Sequence, residues 1–159
     1  MTMGGGHTVL LIDGEWLLPR RPRAGRWILG TEFDATAIVD CLLATVALEA
    51  PVRRIQCFRN WADHSLGQGG AIHGALQRRL VELHHVPARG VHSEGYLTDN
   101  RDGISAAIRA ASMEQLLHDR DARIAIASDR QEAVAGLPPE RIRLLDLPVA
   151  PALWKAVTT

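Results

Sequence analysis

Five acidic residues stand where strands are expected to end or a helix to begin: Asp13, Glu15, Asp102, Asp129 and Glu132. Thr8-Val-Leu-Leu-Ile12 is a continuous apolar run stopped by Asp13-Gly14. Ala122-Arg-Ile-Ala-Ile-Ala127 is a second such run, halted by Ser128-Asp129. Both read as buried strands. Asp102 opens a stretch with Ile104, Ile108, Ala111 and Leu116 at helical spacing. A helix that follows a strand starts at the edge where that strand ends, so Asp13, Asp102 and Asp129 are expected at one edge of a sheet. Glu15 and Glu132 stand two or three residues beyond the strand ends. Converging carboxylates repel unless a cation neutralises them. Oxygen-only ligands favour Mg²⁺ or Mn²⁺, and such an ion can activate water and neutralise charge at a phosphodiester. Taken singly, each aspartate also reads as a cap or turn residue, since Asp-Gly is a common turn dipeptide and Asp102 is well placed to cap its helix.

The elements that must position these residues follow from the pattern. A helix is expected from Asp34 to Glu49, with Asp34 as cap, apolar positions at Ala35, Ile38, Val39, Leu42, Leu43 and Val46, and Pro51 as its stop. Arg54–Phe58 reads as a second strand, Ala71–His85 as a second helix and Gly90–His92 as a weak third strand. Asp102–His118 is the third helix, Ala122–Ala127 the fourth strand, Gln131–Ala135 a short helix ended by Gly136, and Arg141–Leu145 a fifth strand. Residues 15–33 form a long loop with room for a short strand at Arg26–Leu29, and Val149–Val157 a turn or two of helix. The alternation predicts a three-layer α/β/α, Rossmann-like fold with a mostly parallel sheet of about five strands, whose ligands sit beyond the carboxyl ends of the strands. Residues 1–7 read as a flexible leader and 8–159 as one domain.

Composition bounds the functions available. The eighteen basic and eighteen acidic residues balance. That excludes a polybasic protein that holds nucleic acid by bulk charge, and an acidic disordered tail. Only Lys155 among the basic residues is a lysine. No apolar run approaches the roughly 20 residues of a membrane span, and the N-terminus lacks the features of a secretory signal. Cys41 and Cys57 have no metal-finger spacing and read as reduced thiols of a cytoplasmic protein.

A family resemblance adds to this. Val9-Leu-Leu-Ile-Asp13-Gly-Glu15 resembles the opening strand motif of NYN domains, a branch of the PIN-like nuclease superfamily. Asn100-Arg-Asp102-Gly-Ile-Ser-Ala-Ala resembles that family's Lys-Gly-Val-Asp segment, and Ile124-Ala-Ile-Ala-Ser128-Asp129 its Leu-Val-Ser-Gly-Asp strand end. The order matches over residues 8–135. The resemblance implies a PIN-like fold, Asp13, Asp102 and Asp129 as ligands of Mg²⁺ or Mn²⁺, and cleavage of RNA by a metal-activated water. The chain also departs from the pattern. Trp16 replaces the usual Asn, Ile108 and Arg109 stand where a second helix Asp is common, and Gln131, with Glu132 next to it, replaces a further Asp. An Arg near the site would oppose a cation or hold the scissile phosphate in its place.

The loops expected at the same edge carry Trp16, Arg20, Arg21, Arg23, Arg26 and Trp27, then Arg59 and Trp61, then Tyr96 and Arg101. Arg for phosphates and aromatics for stacking are the parts of a single-strand nucleic-acid surface. They are equally the parts of solvated loops with buried anchors, or of a homodimer interface. The histidines lack zinc spacing; His64 is the best candidate among them for a substrate contact. Gly67–Gly70 could cradle a phosphate but is not a P-loop. Three functions follow: a metal-dependent endoribonuclease, with Glu15 or Glu132 assisting through water and with Arg109 among the RNA contacts; a degenerate PIN-like module that binds RNA or a protein partner without cutting; or a different Rossmann-like enzyme acting on a small phosphorylated molecule near Gly67–Gly70.

Overall fold

The computed structural model describes residues 6–18, 32–62, 71–87 and 100–145. Strand β1 (His7–Asp13) lies at the centre of a five-stranded sheet, followed by the single turn α1 (Gly14–Leu17) and by helix α2 (Glu32–Ala47). Then come β2 (Val52–Arg59), α3 (Ala71–Gln77), β3 (Val81–His85), α4 (Arg101–His118), β4 (Ala122–Ala127) and β5 (Ile142–Leu145). Two 3-10 turns, Gln131–Val134 and Pro139–Arg141, join β4 to β5. The order is β3-β2-β1-β4-β5, and every pairing is parallel.

The two-residue period of β1 divides the core. Leu10 and Ile12 pack with Ile38, Val39, Leu42 and Val46 of α2 and with Ile72 and Leu76 of α3. Val9 and Leu11 point the other way, toward Ile104, Ile108 and Leu116 of α4. The expected α/β/α layering is therefore present. His7 pairs with Ala122 as part of β1, so the first strand begins inside the stretch read as a leader. Helix α2 starts at Glu32, which places Asp34 within its first turn and not at its cap.

The second expected helix is corrected. It stops at Gln77, and Val81–His85 is the strand β3, paired from Ile55↔Val81 to Arg59↔His85. The apolar spacing Ile72, Leu76, Leu80, Leu83 fits a helix, yet Leu80 is 83% exposed and sits at φ 62° in the reversing turn. Val81-Glu-Leu-His alternates, with Val81 and Leu83 against the α2 side. Residues with that period gain more from pairing with β2 than from one more helical turn. The expected strands at Gly90–His92 and Arg26–Leu29 and the helical tail at Val149–Val157 lie outside the described residues. No helix among the described residues is long and apolar enough to cross a membrane.

The β2–β3 pair carries a bidentate ion pair, in which Arg54 Nε and Nη2 donate to Glu82 Oε2 and Oε1 at 2.6 and 2.9 Å. These hydrogen bonds hold the Glu82 carboxyl below its ordinary range, against the smaller opposing effect of partial burial. A depressed carboxylate contributes stability above its unfolded pKa and loses it as pH falls through the folded value. Both side chains are largely solvated, so the contribution is under about 1 kcal/mol. Glu82→Gln should therefore cost a few tenths to about 1 kcal/mol at pH 7 in urea unfolding and distinctly less at about pH 2, where the carboxyl takes up a proton. An equal cost at both pH values would contradict this.

Candidate functional site

The register places Asp13 opposite Phe58 and Ile12 opposite Ala127, so Asp13 and the Ser128-Asp129 pair leave the sheet at one level. Helix α4 begins at Arg101 on this carboxyl edge, through its ion pair with Asp13. Asp13 is 0% exposed and both its oxygens are used. Oδ1 accepts from the backbone amides of Glu15 at 3.0 Å and Trp16 at 3.2 Å, capping α1. Oδ2 accepts from Ser128 Oγ at 2.8 Å and from Arg101 Nη2 at 2.9 Å. The same Nη2 donates to Asp129 Oδ1. The Arg101 side chain is 10% exposed and that of Asp129 35%. Burial opposes the charged guanidinium, but Asp13 and Asp129 together outweigh it and raise its pKa above the ordinary value, so Arg101 stays a cation.

The third predicted ligand stands apart. Asp102 lies in the first turn of α4 with its side chain 68% exposed, and it accepts from Arg130 Nη2 at 2.5 Å. Arg130 Nε also reaches the exposed Glu132 carboxylate at 3.4 Å. The cap of α4 is Asn100 and not Asp102: its Oδ1 accepts from Gly103 N at 3.0 Å, while its Nδ2 donates to the Pro87 carbonyl at 2.8 Å. Arg109 Nη1 donates to the Glu132 carbonyl.

Several residues expected to face a ligand are interior. Trp16 is buried in the α2-side core. Arg59 and Glu15 are buried together, Nη2 to Oε1 at 3.8 Å, and Arg59 donates to the Leu18 carbonyl at 3.0 and 3.3 Å and to that of Asn60 at 3.1 Å. A β-carbon on Gly14 would lie 2.7 Å from the Phe58 carbonyl and 2.4 Å from Arg59 Cβ, so the Asp-Gly dipeptide here serves close approach of α1 to β2. Trp61 Nε1 donates to the carbonyls of Cys57 at 3.3 Å and His84 at 3.1 Å, and its ring meets His73 edge-on. Trp16, Trp61, Arg59 and Glu15 thus build the edge. Arg20, Arg21, Arg23, Arg26, Trp27, His64, Gly67–Gly70 and Tyr96 lie outside the described residues.

The structure therefore brings Asp13 and Asp129 together on one cation, with Asp102 and Glu132 on a second, Arg130. As arranged, this donor set does not fit Mg²⁺ or Mn²⁺. A guanidinium stands between two of the three carboxylates, and the third faces another arginine. Among the described residues no group of three or more His, Cys, Asp or Glu side chains gathers as a metal site would require. Ser128 and Asn100 were missed in the sequence. The signal for Ser128 was the hydroxyl placed directly after a buried strand, and for Asn100 the side-chain acceptor three residues before Gly103.

This pairing predicts an unequal response to neutralising the aspartates. Asp13→Asn leaves a buried guanidinium without its buried partner and should cost about 3 kcal/mol or more in urea unfolding. Asp129→Asn, which is partly solvated, should cost about 1 kcal/mol or less. Asp102→Asn should leave stability unchanged within error. Equal effects at all three positions would contradict the arrangement. Compared with protein-family models, curated proteins and solved structures, the chain matches none.

Proposed function

We propose that this chain is a degenerate PIN-like module that binds single-stranded RNA at its carboxyl edge without cutting it. The observation that carries the reading is Arg101 seated between Asp13 and Asp129. An ion-activated water needs open carboxylate positions, and these are committed to a protein cation. The absent family acids point the same way, since Ile108 is buried in the α4-side core and Arg109 is bound to the backbone of residue 132.

RNA is favoured as the ligand by the segment that joins α1 to α2. Residues 19–31 carry Arg20, Arg21, Arg23 and Arg26 with Trp27 and no acid. The chain enters this segment directly after Leu18, whose carbonyl is held by Arg59 at the site edge. Arginines for phosphates and an indole for a base are what single-strand binding uses. The cytoplasm is the compartment proposed for this activity, in keeping with the free thiols of Cys41 and Cys57. Burial raises the Cys57 thiol far above its ordinary pKa, with Asp13 adding to the shift, so it is inert.

The test combines binding and cleavage. Fluorescence anisotropy with a labelled single-stranded RNA should show affinity that falls with salt. The Arg20→Ala, Arg21→Ala, Arg23→Ala variant should lower the salt slope by roughly 2, at about 0.7 per phosphate contact. The RNA should remain intact in Mg²⁺ or Mn²⁺. Metal-dependent cleavage that is lost in Asp13→Asn would overturn the reading in favour of a nuclease, and absence of RNA binding would overturn it in favour of a protein partner.

A further inference from the structure

The bond pattern of Arg101 is unusual for an arginine–carboxylate contact. Arginine ordinarily meets one carboxylate with two nitrogens side by side. Here a single nitrogen, Nη2, bridges oxygens of two different carboxylates, Asp13 Oδ2 and Asp129 Oδ1, while Nε is buried with no hydrogen-bond partner among the described residues. The guanidinium is not placed to satisfy its own donors. It is placed to put one positive point between two negative ones, as a bridging metal ion would be. Ser128 Oγ reaches the same Asp13 oxygen at 2.8 Å, so a hydroxyl also stands at this point.

We propose that Arg101 is a built-in counter-cation that substitutes for a divalent ion, so that removing its charge converts this edge into a site for a hard divalent cation held by Asp13, Asp129 and Ser128. The inference stands on these residues alone and not on RNA as ligand. Without Arg101, Asp13 would be a carboxylate with no exposure and no cation paired to it among the described residues, with a second carboxylate close by. Such a pair takes up a proton, loosens the edge or recruits a cation, and when a divalent ion is supplied an all-oxygen donor set favours Mg²⁺, Mn²⁺ or Ca²⁺. While Arg101 is present, its unit charge repels the ion from the same point.

The test uses the full chain carrying Arg101→Met, which keeps bulk without charge, and Arg101→Lys, which keeps charge without the fork. Thermal unfolding and the electron paramagnetic resonance of free Mn²⁺ are followed in titrations with Mn²⁺, with EDTA as control. Arg101→Met should lose stability in EDTA and regain it as Mn²⁺ rises, binding the ion at least about tenfold more tightly than the unaltered protein. Adding Asp13→Asn to that variant should abolish the response, and Arg101→Lys should respond like the unaltered chain. If Arg101→Met does not fold in EDTA, refolding in Mn²⁺ is the readout, and recovery supports the proposal. Three results would overturn it: Mn²⁺ binding by the unaltered protein as tight as by Arg101→Met, no Mn²⁺ response in Arg101→Met, or no recovery on refolding with the ion. Loss of RNA binding, by contrast, would leave it untouched.

Discussion

A carboxylate with no solvent must have its lone pairs answered from within the protein, and Asp13 is where this fold meets that demand. Its two oxygens take the amides of α1, the hydroxyl that follows β4 and the guanidinium that opens α4. The adjoining turn α1 and two elements distant in sequence are thereby fixed to the end of the central strand. The sheet brings them near each other through hydrophobic packing, which has no direction. The hydrogen bonds at Asp13 give the edge its geometry, because each donor has one direction from which it can satisfy the group. Arg101 then carries the arrangement outward to Asp129.

The same logic governs two other arginines of the described fold. Arg59 is buried, with its donors on the carbonyls of Leu18 and Asn60. Arg141 Nη2 spans the carbonyls of Asp119 and Ala122 at 2.6 and 2.9 Å and ties the end of α4 to β4 and β5. These side chains close strand and helix ends where backbone acceptors lack partners, a task suited to a planar group with five donors. The near absence of lysine thus has a structural consequence: arginine serves as an internal clamp as well as a surface charge. At the carboxyl edge such pairs set three arginines against five carboxylates, Arg101 with Asp13 and Asp129, Arg130 with Asp102 and Glu132, Arg59 with Glu15, and so offset most of the acidic charge there.

Much of this fold was legible because strand ends and helix faces write themselves as period and punctuation. The run Val9–Ile12 with its Asp-Gly stop, the run Ile124–Ala127 with its Ser-Asp stop, and the apolar spacing of α4 each had one reading, and they place Asp13 and Asp129 on one edge. Val81–His85 failed because five residues with two apolar positions fit either period, and only pairing with β2 decides. The site was half legible. That Asp13 and Asp129 would meet was foreseeable; that Asp102 would stand apart on Arg130, and what neutralises the pair, was not. A string of residue types does not tell whether an arginine beside an acidic edge turns outward to a phosphate or inward to a carboxylate, and Arg101 turns inward. Trp16 shows the same limit, since an aromatic after a strand end can be a stacking platform or, as here, a core anchor.

The centre of the account is the identity of the cation between Asp13 and Asp129. The most direct measurement is a crystal structure of the unaltered protein grown with Mn²⁺ and phased to show anomalous scattering. The account predicts the Arg101 guanidinium between the two carboxylates and no anomalous peak there. A manganese peak bonded to both carboxylates, with Arg101 displaced, would contradict it.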